Sequence, residues 1–299
     1  MPNTLSQTFP YAGWSIKYEI LDNSPSAESK KTVVFVHGTP WSSVVFRPLA
    51  EALSAIYKYR VLLYDLAGYG KSQSLDPATT TTKAGFPGDT SVKFQAELLA
   101  ALLAHLSQSD CTPAVIAHDI AGAIALRAHL IHGVDFESLM LWDTNAVLPW
   151  GDGFYKLCRS NPQIFTQLPP PIFEAVVRAV TKSACAKAMP EYWEEAIVRP
   201  WLQGEDDQTN FVRQIAQADD GDVREMLEQN LYDKVRCKVR ILCGEADGWI
   251  PREKMEELAG LLGDTLDGFV TVPDASHLLM VDQPERVMGE VVSWLEARK

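Results

Sequence analysis

Apolar residues in this chain fall into short unbroken runs, separated by stretches in which they recur at helical spacing. Thr32-Val33-Val34-Phe35-Val36 is continuous and β-branched, the mark of a strand covered on both faces in a parallel sheet. Similar runs occupy 59–64, 114–117, 138–142, 239–243 and 268–272, and 14–21 alternates well enough to be the first strand. Between them lie helical patterns: 46–56, 91–106 with Leu98, Leu99, Leu102, Leu103 and Leu106 on one side, and Ile120, Ala123, Ile124 and Ala128 running to a stop at Gly133. A helix over 288–297 closes the chain, 23–31 reads as a polar turn, and the Thr-, Gly- and Pro-rich 75–89 reads as loop. Strands alternating with helices predict an α/β domain with a mostly parallel sheet and helices on both faces.

The alternation breaks between 145 and 233. Pro149, Pro162, Pro169-Pro170-Pro171, Pro190 and Pro200 punctuate helical patches such as 172–180 and 222–231, with Trp150, Tyr155, Trp193 and Trp201 spread among them. No strand-like run occurs there. The division that follows is a core of 1–144 and 234–299 with a helical cap, 145–233, inserted between two strands as a water-excluding lid.

At 299 residues, 46% hydrophobic and 22% charged, the chain can bury a large core. A net charge of −12 without a Lys/Arg cluster disfavours nucleic acid and anionic membranes as partners. Residues 1–10 lack the basic-then-apolar pattern of a secretory signal, and no apolar run is long enough to span a bilayer. Cys111, Cys158, Cys185, Cys237 and Cys243 are odd in number, scattered and without a C-x-x-C pair, so reduced, mostly buried thiols are expected. These features fit a cytoplasmic enzyme, monomeric or homodimeric, acting on a small apolar organic substrate and water.

In an open parallel sheet ligands bind beyond the carboxyl ends of the strands. The residues just past successive strands are His37, Asp65, Asp119, Asp143, Asp247 and His277. The sharpest junction is 114–126, where an apolar run meets a polar pair and then a helical pattern. Ala117 lies two residues before Asp119, and Ala121 and Gly122 lie two and three after it, small side chains that let a strand pass straight into a helix. That is the geometry of a nucleophile elbow, here with aspartate at its tip. A carboxyl group with a reference pKa near 3.9 is ionised without help, and backbone N–H groups of the following helix favour a negative charge there. Asp119, Asp247 and His277 can be arranged as nucleophile, orienting acid and base, in that chain order.

With these residues in place the chain resembles the α/β-hydrolase superfamily, in particular the branch of epoxide hydrolases and haloalkane dehalogenases. The matching features are His37-Gly38-Thr39-Pro40, the 65–72 loop, the 117–122 elbow, Gly244-Glu245-Ala246-Asp247 and Ser276-His277. The resemblance implies an α/β-hydrolase fold with an eight-stranded sheet, the cap, a cis Thr39-Pro40 peptide and no cofactor or metal. It also implies a covalent route. Asp119 attacks an electrophilic sp³ carbon, and His277 then activates the water that hydrolyses the alkyl ester. Backbone N–H groups of Thr39 and Ile120 are the expected oxyanion donors. Some dehalogenases take the orienting acid from the preceding strand end, where Asp143 stands. His37, His118 and Asp65 read as scaffold.

The leaving group is less legible. Both families commonly carry tryptophan after the nucleophile, where this chain has Ile120, and Phe211-Val212-Arg213 lacks the tyrosine that epoxide hydrolases place before an arginine late in the cap. The resembling fluoroacetate-type dehalogenases place arginines just after the nucleophile, where Ile120-Ala121-Gly122 has none, so small haloacids are not expected. Trp41, Trp142, Trp150, Tyr155, Tyr192 and Tyr232 are the available donors. Epoxide opening is favoured because three tyrosines of the cap region can protonate the departing oxygen. Halide release, a lyase or proton-transfer reaction without an ester, and a non-catalytic small-molecule receptor are the alternatives.

Overall fold

A computed structural model describes residues 5–23, 31–106, 112–150 and 153–297. Its main sheet has eight strands in the order β1-β2-β4-β3-β7-β8-β9-β10. These are β1 (Gln7–Tyr11), β2 (Trp14–Leu21), β3 (Thr32–Val36), β4 (Arg60–Tyr64), β7 (Ala114–His118), β8 (Ser138–Trp142), β9 (Lys238–Gly244) and β10 (Leu266–Val272). The first two pairings, β1 with β2 and β2 with β4, are antiparallel, and all the others are parallel.

Two departures from the sequence reading have local causes. The strand expected to be first is the second. β1 precedes it as an edge strand whose Pro10 and exposed polar positions hide it from a search for apolar runs. The 75–89 stretch holds a small hairpin, β5 (Thr82–Lys83) with β6 (Phe86–Pro87), turned at Ala84 and Gly85. Both turn residues have positive φ, 50° and 81°, as a tight hairpin turn of this kind requires. The predicted turn at 23–31 lies largely outside the described residues, as does Cys111. The other four cysteines form no disulfide among the described residues.

The central strands bury both faces. Val34 and Val36 of β3, with Val115 and Ala117 of β7, pack on one side, and Val33, Phe35 and Ile116 pack on the other. The first layer carries α2 (Val92–Leu106), α3 (Ile120–Leu130) and α10 (Arg252–Leu262); the second carries α1 (Arg47–Ala55), the short α11 (Leu279–Asp282) and α12 (Pro284–Glu296). Between β8 and β9, the regular elements among the described residues are all helical: α4 (Gly153–Ser160), α5 (Pro162–Phe165), α6 (Pro170–Lys182), α7 (Glu191–Val198), α8 (Asp207–Ala216) and α9 (Gly221–Glu228). No described helix is long and apolar enough to cross a membrane.

Candidate active site

Asp119 sits between β7 and α3 with φ 59° and ψ −128°, a conformation that costs of order 1–3 kcal/mol for a residue with a side chain. Its surroundings hold it there. The backbone N–H of Asp119 donates to Trp142 O at 3.0 Å. Its carbonyl accepts from the N–H groups of Gly122 and Asn145, both at 3.1 Å, and from Thr144 Oγ1 at 2.6 Å. Glycines make room on both sides. A Cβ at Gly38 would lie 2.6 Å from Asp119 Oδ2, and one at Gly122 would lie 2.6 Å from Thr144 Cβ.

The Asp119 side chain is buried and faces several donors at once. Oδ2 accepts the Thr39 N–H at 2.8 Å, Oδ1 accepts the Asn145 side-chain amide at 3.1 Å, and the Ile120 N–H also bonds the carboxylate. Burial raises the pKa of this carboxyl group. His277 and those three hydrogen bonds pull it back down. Thr39 and Ile120, the donors named from sequence, both meet Asp119 at its carboxylate.

His277 is fully buried, its Nδ1 2.9 Å from Asp247 Oδ2 and its Nε2 3.8 Å from Asp119 Oδ1. With Nδ1–H donated to Asp247, the lone pair of Nε2 is directed toward Asp119. Trp249 stacks on the imidazole with ring centroids 4.9 Å apart. Asp247 is fixed in turn by the N–H groups of Trp249 and Ile250 on Oδ1, at 2.7 and 3.1 Å. Gly244 lets the His277 loop approach β9, because a Cβ there would meet Ala275 O at 2.8 Å.

Asp143, the alternative acid, is present in the same cluster but does not orient the imidazole. Its two oxygens take the Gly244 N–H at 2.9 and 3.2 Å, and it hydrogen-bonds Asp247 from behind. Burial first, then the charge of Asp247, pushes its pKa well above the usual carboxylate range. The scaffold residues occupy hinge positions. His37 Nε2 accepts the Leu66 N–H at 2.9 Å, and His118 Nε2 donates to His277 O at 2.8 Å. Burial lowers the pKa of both rings, keeping them neutral. Asp65 fixes its loop by accepting from Ser43 and Lys71.

A pocket opens onto Asp119, with about 430 Å³ of empty space including its open mouth and a narrow enclosed part of about 30 Å³. Thr39, Ile120, Asn145 and Trp249 line it from the sheet edge, and Trp150, Tyr155, Arg159 and Ala218 from the helical segment. Of the six donors nominated from sequence, only Trp150 and Tyr155 reach it. Trp150 has committed its indole N–H to Asn145 O at 2.8 Å, and the Tyr155 hydroxyl lies 3.5 Å from Thr39 O. Trp41 stands behind, its ring 5.5 Å from that of Trp249 and 5.9 Å from that of His277. The other three are misplaced for contact with a substrate. Trp142 is packed against Phe35 and Phe46 on the far face of the sheet, and Tyr232 is buried with its hydroxyl on Ala146 O. Tyr192 is 54% exposed on a separate groove beside Glu195 and Arg199. Residue type identified possible donors, but the direction each faces is set by packing. The sequence reading missed Asn145, Arg159 and Trp249. Asn145 follows Asp143 by two residues at a strand end, so the strand-end rule extended by one turn would have found it. The others carried no comparable signal.

A buried acid at a strained strand-to-helix bend, an imidazole and a second acid on successive strand ends define a hydrolase-type site on a doubly wound sheet. Residues 33–290 match the alpha/beta hydrolase family, and the chain belongs to it. An alpha/beta hydrolase fold protein from Burkholderia ambifaria is 32% identical over 97% of both chains, with a TM-score of 0.83. A thermophilic esterase from Thermogutta terrifontis is 22% identical over 95% of this chain and 94% of its own (TM-score 0.70). A proposed ancestral haloalkane dehalogenase is 16% identical over 98% and 99% (TM-score 0.76). These last two likenesses are of fold. No curated protein matches the sequence significantly.

Proposed function

We propose that the protein hydrolyses a small, largely apolar substrate at an electrophilic sp³ carbon, through an ester on Asp119, and that the substrate is an epoxide. The observation that carries the reading is the pairing of Asp119 with two kinds of partner. The Thr39 and Ile120 amides hold the carboxylate from one side, and His277 Nε2 stands 3.8 Å from Oδ1 on the other. Oδ1 attacks carbon, the C–O bond of the ring breaks, and the departing oxygen takes a proton from the Tyr155 hydroxyl. His277 then removes a proton from water, which adds to Cγ of Asp119. The resulting oxyanion is stabilised by the two amides, the ester C–O bond breaks, and a diol leaves. The imidazolium proton returns to the phenolate through water, so the sum is epoxide plus water to diol. Segment 145–233 acts as the lid, since five of its residues, Asn145, Trp150, Tyr155, Arg159 and Ala218, line the pocket over Asp119.

Epoxide is favoured over halide because the two indoles lining the pocket donate their N–H groups at shorter range, Trp150 to Asn145 O at 2.8 Å and Trp249 to Ser183 Oγ at 3.2 Å, than the Tyr155 hydroxyl does to Thr39 O, a 3.5 Å bond that a substrate oxygen can replace. A panel of epoxides and alkyl halides scored for diol and for free halide tests the choice. Diol formation supports the reading, whereas halide release alone replaces it, with the Asn145 amide as the donor. Single turnover in ¹⁸O-water must place label in Asp119 before product, because a lyase would incorporate none. With His277→Gln the alkyl ester accumulates as added mass on the Asp119 peptide, and Asp119→Asn abolishes its formation. Unmodified peptide with undiminished turnover in His277→Gln overturns the mechanism.

A further inference from the structure

Arg159 is a half-buried cation beside the pocket. It comes from α4 and lines the pocket that Asp119 opens onto, and among the described residues it makes no ion pair or hydrogen bond. Its Nε is buried and its guanidinium carbon lies 5.9 Å from the centre of the Trp150 ring. Asp219 and Asp220 are near enough to favour its charge, but each is engaged elsewhere. Asp219 accepts the Gly221 N–H at 2.8 Å and Asp220 pairs with Arg224 at 3.1 Å. Burial disfavours the guanidinium charge. Arginine nevertheless stays protonated in proteins, so a positive charge with N–H donors stands in the wall of the pocket. Burying such a group unpaired costs free energy that an anionic ligand would offset.

We propose that the substrate carries a carboxylate at the end away from its electrophilic carbon, and that Arg159 binds it. The aromatic side chains of Trp150, Tyr155 and Trp249 then flank a flat apolar body between the two ends, with Ala218 leaving space opposite. A planar carboxylate suits both this slot and the guanidinium fork, which accepts it through two parallel hydrogen bonds. The arrangement revises the expectation of a wholly apolar substrate: the anion site missing after Asp119 in the sequence is supplied from the helical segment. The chain's net charge of −12 repels anions at long range, so a preference for them must arise locally.

This inference rests on the pocket of the proposed function but is tested without turnover. Phenylacetate and phenylacetamide share size and ring and differ in charge. Titrating each into the wild-type protein by calorimetry should show the carboxylate binding about tenfold or more tightly, the weight of a charge-assisted pair over a neutral one. Arg159→Gln should abolish that preference while leaving amide binding unchanged, and Arg159→Lys should retain part of it. Equal binding of the two probes to wild type, or a preference that survives Arg159→Gln with its melting temperature intact, overturns the proposal. The two readings fail separately. Carboxylate preference without diol formation would leave the Arg159 site standing and remove the epoxide chemistry. Hydrolysis of styrene oxide by a protein indifferent to probe charge would do the reverse.

Discussion

Asp143 and Asp247 stand at the ends of adjacent strands with a hydrogen bond between their carboxyl groups, which requires a proton on one of them. The surroundings favour Asp143 as its holder. Burial and the neighbouring charge raise its pKa, while Asp247 already accepts from two backbone amides and from His277. The neutral acid therefore accepts the Gly244 N–H and donates to Asp247, keeping the orienting carboxylate in line with the imidazole. Asparagine offers the same acceptor and donor at the same positions. Asp143→Asn should thus keep its rate at neutral pH within a few-fold of wild type. Asp143→Ala leaves the Gly244 N–H buried without its partner and should lose about 1–3 kcal/mol in urea unfolding, with a larger fall in rate. Equal damage from both substitutions would show that the proton is not what matters. Sequence favours Asp247, for the glycine-led step that precedes it, but keeps Asp143 as an alternative because each follows a strand of the same sheet. The choice is made by the loop after β9, whose step from Gly244 brings Asp247 round to Nδ1.

The elements were legible wherever burial on both faces forces an unbroken apolar run, as in β3, β7 and β8, and where a helix carries one apolar face, as in α2. They were illegible where an edge leaves one side wet, as in β1. The elbow is the clearest case of local sequence dictating a site, because its geometry calls for small residues at 117, 121 and 122. The backbone of Asp119 is held through its carbonyl by Gly122, Thr144 and Asn145, and Gly122 packs directly under the Thr144 side chain. A methyl group at that position must displace Thr144, and with it the hydroxyl that fixes the Asp119 carbonyl. Gly122→Ala should accordingly destabilise the protein by about 1–3 kcal/mol, the usual cost of overpacking, despite alanine's better helix propensity. Gly289→Ala on α12, where nothing lies within 4 Å of the added carbon, is the control and should be neutral or slightly stabilising. Equal effects at the two positions, read from chemical denaturation, would contradict this account of the bend. The helical segment follows another logic. Its sequence announces helices and aromatic residues, yet which of them turns toward Asp119 depends on how α4, α8 and α9 pack. For that reason Arg159 went unnoticed while Tyr192 and Tyr232 were nominated.

Across the whole molecule, three carboxyl groups converge on one sheet edge of a protein that already carries a charge of −12. The fold gives up stability to keep Asp119 charged in a buried place. The pKa of Asp119 is raised on folding, chiefly by burial. A raised pKa means that the native state binds the proton more tightly than the unfolded chain does. The stabilisation linked to that proton is complete below the ordinary carboxylate range and is lost as pH rises through the native value. Neutral pH is therefore where the charged nucleophile weighs most against the fold. Asp119→Asn, uncharged throughout, should melt above wild type at neutral pH, and the gap should close as pH falls below the ordinary carboxylate range. Asp143→Asn should move in the same direction for the same reason. Peptide mass at each pH verifies that the substituted amide has not hydrolysed back to the acid. In the active protein the same shift places the acid limb of kcat/KM above the pH at which an ordinary carboxylate titrates, because protonated Asp119 cannot attack carbon. A melting gap that widened toward acid would mean that the fold stabilises the Asp119 charge, and burial would then not be the dominant influence on this side chain.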